Sequence, residues 1–504
     1  MSKKNAVIKL CSLQVSLALL LAACGGGGGE QANSVEQEGG KQGKPTQISI
    51  LSSFYSQEPP SEDNPIIKEI EKRTNTKLNI AWTSSNNYTD KLNVTLASGE
   101  LPDLILTTDP LNSSVIKGMA AQGAFWDLTN LYKNYPNLAK FPEETWKNLA
   151  YADGHNYGIP RVRPVYGQNG LSIRRDWLDK LGLKMPTNMD ELYEAMKAFT
   201  NNDPDGNGKN DTYGVILNIR AFENVFNKTI GDWKVQDGKL VPTVYLSTEK
   251  DALMYANKLY KEKLIPEDFL MLKPSQILDM LKAGKAGVAT QAIDQVWNIT
   301  AELRKQKPDA YMEPIVSLNG VSETEIGSFG MFLIPKTVPE AKLKKIMEFM
   351  DYGASAEGSD LANFGFKDVH FVEKDGFKIP TEQAVKDNVS QQAFGQIFLS
   401  YNKYLKAYVP GIPKEYYDRH VKIMDERAKN AVNDPSVGVD SEAWIKFWPE
   451  YNKKITDMKL HVIMGKEPIE KWDAFVNQLK TEPNFTKIVQ EMSESYVKRN
   501  STKK

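Results

Sequence analysis

The sequence predicts an α/β protein that begins on a parallel sheet, and three observations carry that reading. Gln47–Ser52 (QISILS), Leu78–Trp82 (LNIAW) and Asp103–Thr107 (DLILT) are short apolar or alternating runs that suit strands. Between them, Asn64–Thr74 places Ile66, Ile67 and Ile70 at helical spacing. Tyr88–Ala97 does the same with Leu92, Val94 and Leu96 before Gly99 ends it. Strand, helix, strand, helix, strand implies parallel neighbours joined by right-handed crossovers. Third, 504 residues, 41% hydrophobic and 25% charged, give room for two or three domains with cores of their own.

Further along, Leu171–Leu181 leads into a helix that starts after Thr187, a residue suited to an N-cap. Residues 201–212 form a loop rich in Gly, Asn and Asp. Gly287–Ala292 and Ser328–Ile334 read as strands, and Ala341–Tyr352 as a helix. From Thr381 onward the pattern is mostly helical, with pauses at Pro410, Pro413 and Pro435. No internal repeat is visible.

Composition removes several function classes. Lys plus Arg (63) balances Asp plus Glu (64), so no basic field exists for nucleic acid. Two Cys residues rule out a disulfide framework. The four His residues, His155, His370, His420 and His461, are too scattered for a His-rich metal site. No G-x-S-x-G elbow, H-E-x-x-H pair or P-loop is present.

The N-terminus reads as an address. Lys3, Lys4 and Lys9 precede Leu10–Ala23, an apolar stretch broken by Ser12, Gln14 and Ser16 and too short to span a bilayer. It ends Leu21-Ala22-Ala23-Cys24, which resembles a bacterial lipobox. That resemblance implies cleavage after residue 23 and a diacylglycerol, with acyl chains such as palmitate, on Cys24. A plain secretory signal is the alternative. Residues 24–45, with Val35 as their one large apolar side chain, suit a disordered tether. Two acyl chains suffice for lasting membrane attachment.

Several segments, in order along the chain, resemble one family. Leu96-Ala97-Ser98-Gly99-Glu100-Leu101-Pro102-Asp103 is similar to its "ASGxxPDI" turn, and Asp153-Gly154-His155-Asn156-Tyr157-Gly158-Ile159-Pro160 to its "DGKxYGIP" segment. Arg174-Arg175-Asp176-Trp177-Leu178-Asp179-Lys180-Leu181-Gly182 is similar to its "xRKDWLDKLG" helix start, and Gly327-Ser328-Phe329-Gly330 opens its returning strand. The family is that of lipid-anchored extracellular solute-binding proteins of bacterial ABC sugar importers. The likeness is strongest to a long subgroup with a calcium loop and a helical C-terminal extension. It implies a two-lobe periplasmic-binding-protein-like fold of type II with the solute in the interlobe cleft. Lobe one would span 46–163 plus 328–390, and lobe two 164–327 plus 391–504, with crossings near Arg161–Leu171 and Gly327. It also implies a monomer on the outer face of the cell membrane that captures an oligosaccharide, closes by a hinge and serves ABC permease subunits. An extracellular carbohydrate-active hydrolase or lyase is the alternative. Carboxylate pairs such as Glu143-Glu144 exist, but 64 acids guarantee such pairs by chance.

Asp203-Pro204-Asp205-Gly206-Asn207-Gly208-Lys209-Asn210-Asp211 has the spacing of an EF-hand-type calcium loop. Its ligands would be Asp203, Asp205, Asn207, the Lys209 carbonyl and Asp211, with Gly208 at the turn. Position twelve is Gly214 rather than Glu, and Thr212 stands where the subgroup often carries a further acid. The alternative is an Asx-rich turn without metal. The expected role of calcium is structural.

A sugar cleft needs aromatic platforms and polar groups at its rim. Trp297, after the strand at 287–292, is the first candidate, with Gln291 and Asp294 beside it. Tyr55, Trp82 and Asp109 follow the first three strands, where ligands sit in such sheets. Arg161, Arg163 and Tyr166 lie on the first crossing, and Arg174 and Asp176 come next. The alternative for each is a packed or solvated side chain. An Arg174–Arg175 pair facing an acidic sugar is weighed against an ordinary surface ion pair.

Overall fold

The computed structural model describes residues 43–108, 110–111, 113–151, 153–374, 376–409, 411–439 and 441–501. Its strands are β1 (Thr46–Phe54), β2 (Thr76–Ser84), β3 (Leu104–Thr107), β4 (Gly158–Val162), β5 (Asn169–Arg174), β6 (Tyr213–Val215), β7 (Trp233–Gln236), β8 (Lys239–Pro242) and β9 (Ala286–Ala292). After these come β10 (Met312–Pro314), β11 (Ser322–Glu323), β12 (Ser328–Leu333), β13 (Phe371–Lys374), β14 (Phe377–Pro380) and β15 (Ala431–Val432).

The first sheet has the order β2-β1-β3-β12-β4. β1 pairs parallel with β2, in register from Thr46 opposite Thr76 to Phe54 opposite Ser84, and parallel with β3. β12 returns antiparallel between β3 and β4, so the sheet is mixed. The early helices form where sequence placed them. The Asn64 side chain accepts from the amides of Ile66 and Ile67, Pro65 opens helix Pro65–Thr74, and Asn75 closes it in the left-handed conformation. Gly99, at φ 74°, ends helix Tyr88–Ser98. The following turn is tied down by Asp103, whose carboxylate accepts from the Ser49 amide (2.7 Å) and hydroxyl (2.7 Å) and pairs with Lys342 (2.7 Å).

The second sheet, β10-β5-β9-β6, packs on helices Met189–Asn201 and Ile293–Arg304. The helix expected after Thr187 begins one residue later. Asn188 is the cap, accepting from the Glu191 amide (2.9 Å), while Thr187 is held by the Glu191 carboxylate (2.8 Å). The C-terminal helices Glu442–Ile463, Ile469–Leu479 and Pro483–Ser501 build a separate core with the β7–β8 hairpin, around Trp233, Trp472 and Phe485. Buried Lys459 fastens this extension by ion pairs to Glu223 (2.8 Å) and Glu249.

Two expectations change. The chain after Thr381 is not helical throughout: among the described residues of 387–413 only the short 3-10 turn Phe394–Gln396 forms; Pro413 precedes helix Lys414–Lys429, whereas Pro449 lies inside a helix. Nor does the first core stop at 390. Phe394, Ile397, Phe398 and Leu399 are buried in it, because Phe398 packs on Phe349 (4.7 Å) and Phe394 (5.3 Å). Ala407 is the next core residue, beside Ile293 and Met424, so the third crossing falls between 399 and 407. The first crossing lies between β4 and β5, and the second between β11 and β12.

Candidate solute-binding site

β1 and β3 end, and β12 begins, at the edge of the first sheet that faces the crossings. Tyr55, just past β1, is 43% exposed, and its ring meets Phe329 edge-on at 6.2 Å. Phe329 sits where the β12–β4 register slips between Ser328 and Met331, a bulge that re-aims a side chain. Gly330 permits the slip. Its φ is 108°, and a Cβ there would lie 2.0 Å from the Thr107 carbonyl oxygen.

The Arg163 guanidinium lies over the Phe329 ring, 4.1 Å from its centroid, and that of Arg161 at 5.2 Å. Arg161 is buried. Its Nε donates to the Gln396 carbonyl (3.0 Å), and its Nη1 has no hydrogen-bond partner among the described residues. Burial, followed by the neighbouring Arg163 charge, pushes Arg161 down to about 9, so it remains a cation at neutral pH. Burial likewise lowers Arg163. Neither arginine has a carboxylate at ion-pair distance among the described residues. Glu325 faces Arg163 from the second crossing and Asp294 from the start of helix Ile293–Arg304, both at longer range. Glu325 is bonded to the Asn169 amide, and burial raises its carboxyl.

From the second lobe, Gln291 lies opposite Gly170 in the β9–β5 ladder and is half-buried. Asp294, in the first turn of helix Ile293–Arg304, is paired with Lys406 (2.6 Å). Tyr55, Arg161 and Arg163 therefore cluster about Phe329 at one end of the first crossing, and Gln291 and Asp294 sit by its other end, next to Gln168 and Gly170.

The other candidates go elsewhere. Trp297 is 7% exposed; its ring packs on Tyr416 (4.9 Å) and beside Arg304, between two helices, so it is no open platform. Trp82 lies on the edge strand β2. It lines an outer groove with Leu78, Ile80 and Ile67, because alternate residues of β2 turn toward helix Pro65–Thr74. Tyr166 is on the crossing, but its hydroxyl donates to Glu144 (2.7 Å). Arg174 ends β5 at the far side from Asn169. There it is buried, paired twice with Asp176 (2.8 and 2.6 Å) and laid over Trp177 (4.3 Å), a packing role. Asp109 and Cys24 lie outside the described residues. Sequence reasoning missed Phe329, Glu325 and Lys406. Phe329 was visible inside the Gly-Ser-Phe-Gly segment, but only as a strand residue.

The loop at 203–211 closes around Asn207. The Asp203 carboxylate accepts from the amides of Asn207 (3.0 Å) and Gly208 (2.9 Å), and the Asn207 side-chain amide donates to Asp205 (2.9 Å) and Asp211 (3.0 Å). Backbone hydrogen bonding lowers the Asp203 carboxyl, and Lys285 (2.8 Å) lowers that of Asp211. The Lys209 amide donates to the Asn207 side-chain oxygen (2.8 Å). Thr212 is buried and donates to the Phe199 carbonyl (2.6 Å), which takes it out of the ligand set. Among the described residues, no group of three or more His, Cys, Asp or Glu side chains stands gathered as a metal site. Lys285, the Asn207 side-chain amide and the backbone amides of Asn207 and Gly208 hold the carboxylates instead.

Two α/β lobes with aromatic and charged groups converging on their crossings define a two-lobe solute-binding protein. Residues 55–360 match the bacterial extracellular solute-binding protein family, and the chain belongs to it. It is 33% identical over 487 residues to the polygalacturonan/rhamnogalacturonan-binding protein YtcQ of Bacillus subtilis, covering 92% of this chain and 94% of that one. It is 30% identical to the lipoprotein LipO of the same organism, over 89% and 90% of the two chains. The fold is also that of the Streptococcus pneumoniae ABC-transporter substrate-binding protein FusA solved with kestose (TM-score 0.67, 18% identity, 91% and 100% covered); an EF-hand mutant of FusA has been solved as well.

Proposed function

We propose that this chain is a lipid-anchored extracellular receptor that captures an oligosaccharide between its lobes and passes it, chemically unchanged, to the permease subunits of an ABC importer. The observation that carries this reading is the cluster of Tyr55, Arg163 and Phe329 at the first-sheet edge beside the crossings, with Asp294, at the start of a second-lobe helix, close enough to influence the Arg163 charge. Relatives spanning most or all of the chain are named for binding a pectic polymer or were solved with kestose, and both ligands are carbohydrates. Family membership and the LipO likeness support a place outside the cell; attachment through Cys24 and a monomeric state complete the proposal. Among the described residues, no helix is long and apolar enough to cross a membrane. Hinge closure over the sugar would give affinity in the micromolar range, about −8 kcal/mol.

Calcium is the second part of the proposal. The ion would displace Lys285 and the Asn207 amide N–H groups, gather Asp203, Asp205, Asp211 and the Asn207 oxygen, and brace the loop. Asp205→Ala should abolish a calcium-dependent rise in melting temperature. An identical melting temperature of the parent with calcium and with chelator refutes this part.

A panel of purified oligosaccharides, read by thermal shift and by product analysis, tests the whole reading. A raised melting temperature with intact sugar supports it; new reducing or unsaturated ends would make the protein a hydrolase or lyase.

A further inference from the structure

Buried cations are ordinarily paired, because an isolated charge in a poorly solvated setting is costly. Arg161, buried, and its half-buried neighbour Arg163 depart from this. They stand two residues apart, at and just past the end of β4, and both guanidinium groups lie within 5.2 Å of the Phe329 ring. Arg161 is 4% exposed and keeps a partnerless Nη1. No described carboxylate reaches either one. Lys406, the third cation nearby, is already neutralised by Asp294 (2.6 Å), and Glu325 is engaged by Asn169 and shifted toward its uncharged form by burial. Among the described residues, the crossings therefore carry positive charge without a paired carboxylate beside an exposed aromatic, Tyr55.

We propose that the Arg161–Arg163 pair receives the carboxylate of an acidic sugar, and that the solute is a uronic-acid-containing oligosaccharide. The inference rests on the oligosaccharide-binding reading above. A guanidinium fork matches the planar carboxylate with two parallel N–H···O bonds. Tyr55 offers the C–H face of the same sugar an aromatic surface. Arg163 makes the contact, and Arg161 behind it supplies charge and positions Arg163 by like-charge repulsion.

The test compares trigalacturonate, its methyl ester and a neutral fructo-oligosaccharide by titration calorimetry on the full-length protein in detergent. The free acid should bind, and esterification should weaken binding roughly tenfold to a hundredfold, the range for hydrogen bonds to a charged group. Arg163→Gln should weaken the acid by a similar factor and leave the ester unchanged. Equal affinity for acid and ester, or an unchanged acid affinity in a folded Arg163→Gln protein, overturns the inference. Binding of the neutral sugar alone overturns it while leaving the oligosaccharide receptor standing. Binding of none of the three, nor of any sugar in a wider panel, removes both.

Discussion

His420 shows how one residue sets a condition on the whole fold. It is fully buried, and neither ring nitrogen has a partner meeting hydrogen-bond geometry among the described residues. Burial pushes it down to about 4, against a raising contact with the Ala407 backbone. The unfolded chain holds a proton on this ring below about 6.5, while the folded one refuses it until about 4. Stability is therefore full above the unfolded value and falls as pH drops through that window, by on the order of 3 kcal/mol. Urea unfolding at a series of pH values checks this, and His420→Leu should flatten that part of the slope. Trp297 makes the complementary point. Trp297→Ala should lower stability by about 3–5 kcal/mol through a packing loss, seen in denaturant melts. Its place was not legible locally, because Tyr416, which covers it, is more than a hundred residues away. The place of Arg161 and Arg163 beside the first crossing was legible, because strand β4 ends there. Arg174 was not, although its partner Asp176 is two residues on, since sequence alone cannot choose between a sugar and a neighbour.

At the scale of elements, Arg427 of helix Lys414–Lys429 ties the lobe-two side of the crossings together. Its guanidinium is buried and donates to the carbonyls of Ile315 (2.9 and 2.7 Å), Gly167 (3.1 Å), Asn169 (3.1 Å) and Leu171 (3.2 Å). Burial lowers it to about 10, so the charge persists at neutral pH. Arg427→Met would strand these carbonyls and should cost about 3–5 kcal/mol in a urea melt. Gly330→Ala should disrupt the β3–β12 pairing, because its Cβ would collide with the Thr107 carbonyl; the loss would show as reduced amide protection in β12. The early elements were legible from caps and periodicity, with Asn64, Pro65 and Gly99 marking helix ends. Residues 387–413 were not, because their order comes from long-range burial of Phe394 and Phe398 rather than from a repeating pattern.

At the scale of the molecule, three crossings join two α/β lobes, and the helical extension is bound to the second of them through Lys459. That the chain passes between lobes near 161–171 and 327 could be read from motif order, while the third passage could not, since no motif marks it. Closure about these crossings would bring Gln291 and Asp294 onto whatever rests on Tyr55 and Arg163. The most direct test of the central claim is native mass spectrometry of the chain with a mixed pool of oligosaccharides, followed by release and weighing of the bound sugar. One sugar per chain, recovered at its starting mass, is the predicted result; no bound sugar, or a sugar released shorter than it entered, would contradict it.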